Sequence, residues 1–141
     1  MPYNAHSVNA YKETRVKTAG RGRIIVMLYD EAIKQLDAAV ELLDQQTKQL
    51  DKVNNAVTKA QDVVAELMVS LDFEQGGEIA RNLFRLYLYF NDELMEGNMK
   101  KDPEPIRRVR KLLAELRSAW KQIESQSGGP SGGSQGINIA G

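Results

Sequence analysis

The chain contains no cysteine, and His6 is its single histidine. The absence of cysteine excludes disulfides, thiolate metal sites and a cysteine nucleophile, and it fits a reducing compartment. One histidine near the amino terminus cannot supply the helix-borne histidines of phosphorelay or di-iron bundles. We therefore expect no metal, no cofactor and no catalytic residue, and we predict that the chain is not an enzyme.

Net charge and long apolar runs are missing as well. Lysine plus arginine number 19, and so do aspartate plus glutamate, so the formal charge of the 141-residue chain is zero. This balance removes the electrostatic reason to expect broad nucleic-acid or acidic-membrane binding. No stretch approaches the roughly 18 apolar residues of a membrane span, and the first residues lack the apolar run of a secretion signal. We expect a soluble, cytoplasmic protein that neither binds nucleic acid nor inserts into a membrane.

Proline is absent between Pro2 and Pro103, and the stretch from about Gly22 onwards is rich in strong helix formers. The apolar residues in it recur with helical periodicity. A single helix from Gly22 to Asp72 would extend roughly 75 Å, which is long for so small a protein. We therefore predict a break near Thr47, although no glycine or proline marks it.

Further helix boundaries carry clearer signals. The pair Gly76–Gly77 predicts the end of the second helix, and a third is expected over about Glu78–Glu96. The fourth begins with Asp102 as its cap and Pro103 in its first position. Four helices with short links predict an all-α fold, an antiparallel four-helix bundle over residues 22–125, with room for a short extra N-terminal helix.

Two terminal segments fall outside this predicted bundle. Residues 1–21 form an N-terminal segment that we expect to cap a binding groove on the free protein. Residues 126–141 are rich in glycine and serine and bury too little apolar surface to offset the entropy of ordering. We expect them to be a disordered tail or linker.

The predicted third helix has more apolar surface than one packing face requires. One stripe, sufficient to join a bundle, consists of Ile79, Leu83, Leu86, Tyr87, Phe90 and Leu94. A second stripe of Phe84, Leu88 and Met95 lies to one side of it, with Asn91 interspersed. The first helix shows a similar surplus in Val26 and Met27. Either the third helix is buried on all sides, or the surplus lines a groove for an amphipathic partner helix.

A basic run, Arg107-Arg108-Val109-Arg110-Lys111, lies on the predicted fourth helix. Such a run usually forms a solvated helix face. The alternative is an acidic partner, and a nucleic-acid binder using this run is a rival function that the neutral total charge disfavours.

Several motifs in fixed order resemble one known family. Ala10-Tyr11, Val16, Thr18-Ala19 and Met27-Leu28-Tyr29-Asp30 follow one another as in the opening signature of the FliS flagellar export chaperones. The later segments KAQDVVAEL, LDFEQGGEIARNLFRLY and LLAELRSAW agree too, so the resemblance extends over residues 10–124. The family often has Ser-Pro where this chain has Gly20-Arg21, which predicts a less rigid start to the first long helix.

The resemblance implies a cytoplasmic chaperone for flagellin. Family members bind the disordered C-terminal segment of flagellin, prevent premature polymerisation and deliver the subunit to the flagellar secretion gate; other flagellar regulators are further candidate partners. Leu116 and Trp120 are expected in the core. The alternative is a homodimeric helical-bundle adaptor without a flagellin client, whereas the chaperone is expected as a monomer or weak homodimer. The candidate partner-binding residues are Tyr11, Val16, Val26, Met27, Tyr29, Phe84, Leu88 and Met95.

Overall fold

The computed structural model describes the backbone of residues 5–127 and the side chains of residues 20–125. Its regular secondary structure consists of four helices: α1 (Ala5–Asp44), α2 (Leu50–Val69), α3 (Phe73–Lys100) and α4 (Pro103–Ser127). None of these helices combines the length and apolar character needed to span a bilayer. The predicted all-α, four-helix fold is confirmed, and the predicted tail beyond Ser127 lies outside the described residues.

Two helix boundaries agree with the sequence signals. α1 ends at Asp44 and α2 begins at Leu50, which confirms the break near Thr47; Gln46 between them adopts a left-handed φ of 53°. At the start of α4, the Asp102 carboxylate accepts a hydrogen bond of 3.0 Å from the backbone N–H of Glu104. A side-chain cap of this kind satisfies a donor that has no partner within the helix.

α1 contains the predicted first long helix and, before it, the extra N-terminal helix for which the sequence left room. Helical backbone begins at Ala5 rather than Gly22, and it is interrupted at Gly20, whose φ of 78° and ψ of 166° are not helical. Glycine alone adopts this conformation readily, because any side chain would be strained there. The sequence suggested a loose helix start at this point, and the structure has a sharp bend instead.

The start of α3 was predicted too late. Asp72 caps this helix by accepting hydrogen bonds from the backbone N–H groups of Glu74 and Gln75. The pair Gly76–Gly77 therefore lies within the first turns of α3 and does not terminate α2. Gly77 has a φ of 50° and a ψ of −122°, so the helix bends here and its phase shifts.

The four helices form a ring in chain order. α1 packs against α2 and α4, α3 packs against the same two helices, and α1 and α3 occupy opposite corners. The bundle is antiparallel, since Arg21, which directly follows the bend in α1, donates to the backbone oxygen of Ser70 beyond the end of α2. Trp120 is buried and Leu116 packs against the core from its edge. The largest fully buried side chains are Tyr29, Tyr87, Phe90, Leu36, Leu67, Leu94, Ile106, Leu113, Val53, Val57, Val64 and Val109.

Ion pairs set the register of α1 against α4. Three aspartates spaced seven residues apart lie along one side of α1, and each meets an arginine of α4. The pairs are Asp30 with Arg117 at 2.6 Å, Asp37 with Arg110 at 2.8 Å and Asp44 with Arg107 at 2.5 Å. Exposed pairs contribute little stability individually. As a series running in opposite chain directions, they select the antiparallel alignment.

Near the end of α3, a glycine allows α3 and α4 to approach closely. A Cβ atom added to Gly97 would lie 2.9 Å from Cγ1 of Ile106 and 3.1 Å from the backbone oxygen of Asp102. Ile106 is fully buried, so it has little freedom to move aside.

We predict that Gly97→Ala destabilises the bundle. Overpacking typically costs about 1–3 kcal/mol, and the better helix propensity of alanine returns about 1 kcal/mol. Urea unfolding should therefore show a net loss of up to about 2 kcal/mol. Gly22→Ala is the matched control, because an added Cβ there meets Cγ of Glu124 at an ordinary 3.7 Å. Equal effects of the two substitutions would contradict the close-packing argument.

Candidate functional site

An exposed apolar stripe runs along α3. Leu88 is 45% exposed, Met95 is 52% exposed and Met99 is 73% exposed. Phe84 is half-buried and completes the series. Spacings of four, seven and four residues place the four side chains on one side of the helix, over roughly 22 Å. We call Phe84, Leu88, Met95 and Met99 the outer stripe.

One end of the outer stripe is extended by an aromatic contact. The rings of Phe73 and Phe84 meet edge to face, with centroids 5.9 Å apart and planes inclined at 69°. Phe73 itself is largely exposed. Two rings in this geometry hold each other in place without closing the surface to a further apolar group.

Next to the outer stripe, α3 faces the core through Tyr87. Its phenol oxygen lies 2.5 Å from that of Tyr29 on α1, and one hydroxyl donates to the other. Both side chains are buried. Buried hydroxyls need such partners, so this contact joins opposite corners of the bundle without leaving an unsatisfied phenol.

Burial controls the ionisation of both phenols. Removal from water raises the pKa of Tyr87 to about 12. Burial, assisted by the adjacent Tyr87, also raises the pKa of Tyr29 well above its usual range. Each phenolate would lose its hydration without gaining a cation, so the pair is neutral at any physiological pH.

The predicted partner-binding residues fall into four groups. Leu88 and Met95 are exposed, whereas Phe84 and Met27 are half-buried. Val26 and Tyr29 lie in the core of the bundle, so a partner could touch them only if the helices separated. Tyr11 and Val16 are outside the residues whose side chains are described. The structure thus brings the α3 residues together on one surface and places Val26 and Tyr29 behind it.

Two exposed apolar residues of this surface were missed by the sequence analysis. Met99 was missed because α3 was expected to end at Glu96, although Met99 follows Met95 by one helical turn. Phe73 was missed because the helix was expected to start five residues later. Conversely, Ile79 was expected in the bundle-facing stripe and is exposed, while Ala80 is buried. Ile79 follows the bend at Gly77 by two residues, so it lies at the very start of the straight part of α3.

The basic run on α4 is engaged within the bundle. Arg107 and Arg110 pair with the α1 aspartates described above, and Arg108 contacts Glu93 of α3 at 2.9 Å. The acidic partner considered for this run is therefore the chain itself. No group of three potential metal-ligating acidic, histidine or cysteine side chains occurs within residues 20–125.

Comparison with known proteins decides the family. The family model described as "Flagellar protein FliS" matches residues 4–127. The chain is 35% identical over 130 residues to the flagellar secretion chaperone FliS of Salmonella typhimurium, covering 89% of this chain and 95% of that protein. It is 31% identical over 124 residues to the Vibrio cholerae protein of the same name, with coverages of 83% and 88%. The chain belongs to the FliS family.

More distant relatives agree with this assignment. The flagellar secretion chaperone FliS of Bacillus subtilis is 28% identical over 118 residues, which is 83% of this chain and 86% of the relative. The resemblance drawn from the motifs is thereby confirmed. Membership of the FliS family supports a flagellar export chaperone role.

We predict that the buried phenols make folding sensitive to alkaline pH. Phenols in the unfolded chain ionise near pH 10, while Tyr87 in the folded bundle has a pKa of about 12. The stability gained by burying neutral phenols is fully present below about pH 10 and is lost as the pH rises towards about 12. Urea unfolding at a series of pH values should show this loss, and a Tyr29→Phe/Tyr87→Phe variant should lose less. Identical pH dependence in the two proteins would contradict the raised pKa values of the two buried phenols.

Proposed function

We propose that this FliS-family chain binds the disordered C-terminal segment of flagellin on the outer stripe of α3. In the cytoplasm, this binding would prevent premature polymerisation and keep the subunit ready for the flagellar secretion apparatus. The chain acts by binding and not by catalysis. The observation that carries the proposal is an apolar stripe left exposed by a bundle whose core is already complete.

The outer stripe has the features of a groove for an amphipathic helix. Its length of roughly 22 Å corresponds to about four turns of a partner helix. Met95 and Met99 supply flexible side chains that adapt to different apolar partners. Leu88 lies between Met95 and the Phe73–Phe84 ring pair, and it adds more rigid contact area. Folding a client segment onto such a surface typically buries about 1,000–3,000 Å² and gives a negative heat-capacity change.

The remaining predicted residues take indirect places in this proposal. Met27 is half-buried on α1, whereas Val26 and Tyr29 support the bundle from within. Tyr11 and Val16 stay candidates of the N-terminal segment, which we propose covers part of the groove before the client arrives. The flagellar export gate and other flagellar regulators remain candidate partners of the loaded or free chaperone.

Calorimetric titration with the C-terminal segment of flagellin from the same cell tests the proposal directly. We expect saturable one-to-one binding that weakens at least about 100-fold, or about 2.7 kcal/mol, in a Leu88→Asp/Met95→Asp variant. Each carboxylate would be forced against the apolar face of the client. Both side chains are about half exposed, so helical circular dichroism should be unchanged.

Tyr89→Asp is the matched control. Tyr89 is 41% exposed and lies on α3 outside the outer stripe. Its substitution adds one negative charge to the same helix, where the double variant adds two, and should leave client affinity nearly unchanged. Absence of any binding by the parent protein would refute the flagellin client, and equal losses in both variants would refute the stripe as its site.

The oligomeric state of the free protein separates the chaperone from the adaptor alternative. An unoccupied outer stripe predicts light scattering at the monomer mass of 15.8 kDa, or a weak dimer that dissociates on dilution. A tight dimer that the Leu88→Asp/Met95→Asp substitutions convert to a monomer would instead show that the stripe serves self-association.

A further inference from the structure

Helix α3 is apolar on two sides. The hydrophobic effect would favour burying either side to a similar extent. Tyr87, Phe90 and Leu94 face the core. The outer stripe runs parallel to them, roughly 100° further round the helix. Apolar packing is non-directional, so a rotation of α3 about its own axis would exchange one apolar stripe for the other at modest cost. Some directional contact must select the observed rotation.

Polar side chains lie on the boundary between the two stripes. Tyr87, Asn91 and Asn98 follow at spacings of four and seven residues, which places them in one line along the helix. Each makes a hydrogen-bonded contact with a neighbouring helix. The contacts are Tyr87 with Tyr29 of α1 at 2.5 Å, Asn91 with Gln61 of α2 at 3.3 and 3.5 Å, and Asn98 with Asn54 of α2 at 2.8 Å.

Asn91 is not explained by stability. Its Nδ2 donates to the backbone oxygen of Gln61, and the Gln61 amide donates back to the backbone oxygen of Asn91. Its Oδ1 is sealed from solvent and has no hydrogen-bond partner among the described residues. A buried acceptor without a donor is unfavourable. An apolar side chain would pack beside Leu88 and Met95 without that penalty, so the amide is better explained by specificity than by stability.

We infer that Tyr87, Asn91 and Asn98 form a polar seam that fixes the rotation of α3 and keeps the outer stripe facing outwards. A rotation that buried Leu88 would pull all three groups away from their partners. The seam residues are positioning residues, because they orient the binding surface rather than contact the client. The benefit for client binding rests on the proposed function, but the rotation itself can be measured without a client.

The lack of cysteine makes α3 easy to probe. Single Leu88→Cys and Leu86→Cys substitutions place one thiol on the exposed stripe and one on the half-buried flank. Thiol labelling rates are then compared before and after the Tyr87 and Asn91 contacts of the seam are removed by Tyr29→Phe, Tyr87→Phe and Asn91→Leu together. Asn98, whose contact is exposed, is left unchanged. Removing both phenol hydroxyls at once leaves no orphaned partner. We expect labelling to slow about tenfold at position 88 and to accelerate about tenfold at position 86, with helical circular dichroism unchanged.

Glu93→Gln is the matched control. Glu93 joins α3 to Arg108 of α4 at 2.9 Å on the opposite flank of the helix. Its substitution removes a polar interhelical contact outside the seam and should leave both rates unchanged. Unchanged rates in the seam variant, or the same changes in the Glu93→Gln control, would overturn the inference. If the triple variant loses helicity, the same two labelling rates are measured in the Tyr29→Phe/Tyr87→Phe double variant, and their change or constancy tests the inference.

Client titration separates this inference from the proposed function. If both hold, the seam variant binds the flagellin segment about tenfold more weakly although its outer stripe is unaltered in sequence. If the labelling rates change but the parent protein binds no flagellin, the role of the seam is supported and the proposed flagellin client is refuted. If the parent binds flagellin and the seam variant keeps both its labelling rates and its affinity for flagellin, the role of the seam is refuted and the flagellin client is supported.

Discussion

The hydrogen bond between Tyr29 and Tyr87 lies at the centre of the bundle, and the position of α3 depends on it. α1 and α3 occupy opposite corners, so their backbones do not meet. Two long aromatic side chains bridge that distance, and their hydroxyls satisfy each other at 2.5 Å. Burial of the rings is favourable in many orientations, whereas the hydrogen bond between the hydroxyls requires one particular orientation of α3 relative to α1. Because α3 is held in this way from one side, its other side remains available as a surface.

Helices α1 and α3 have different roles in the bundle. α1 packs closely against both neighbours, and its charged side is aligned with α4 by the series of aspartate–arginine pairs. α3 retains Leu88, Met95 and Met99 as exposed apolar residues. A helix that binds a client needs free apolar surface, and such surface is tolerated only where the rest of the bundle is already stable without it. The division of roles between the two helices meets that requirement.

Much of this architecture follows from the sequence. Periodicity and capping signals predict four helices and the cap at Asp102, and the limit on the length of a single helix predicts the break near Thr47. The rest depends on information that one-dimensional patterns lack. Periodicity treats tyrosine as apolar, so it detects the burial of Tyr87 but not its hydrogen bond. Ile79 was misplaced because periodicity does not show how much of a helix is covered by its neighbours, and Ile79 lies just after the bend at Gly77. The burial of Val26 depends on which helices surround α1, and a single helix pattern does not contain that fact.

The bundle also has two edges that respond differently to ionic strength. α1 and α4 are joined by exposed charges, whereas α2 and α3 are joined by the neutral amides of Gln61, Asn91, Asn54 and Asn98. The Debye length falls from about 8 Å under physiological conditions to about 3 Å at 1 M salt. Concentrated salt therefore weakens alignment at the α1–α4 edge and strengthens apolar burial, while the amide contacts beside the outer stripe are not screened. The surface proposed for the client lies beside the edge that neutral amides hold, whereas concentrated salt also weakens the Glu93–Arg108 contact on the other flank of α3.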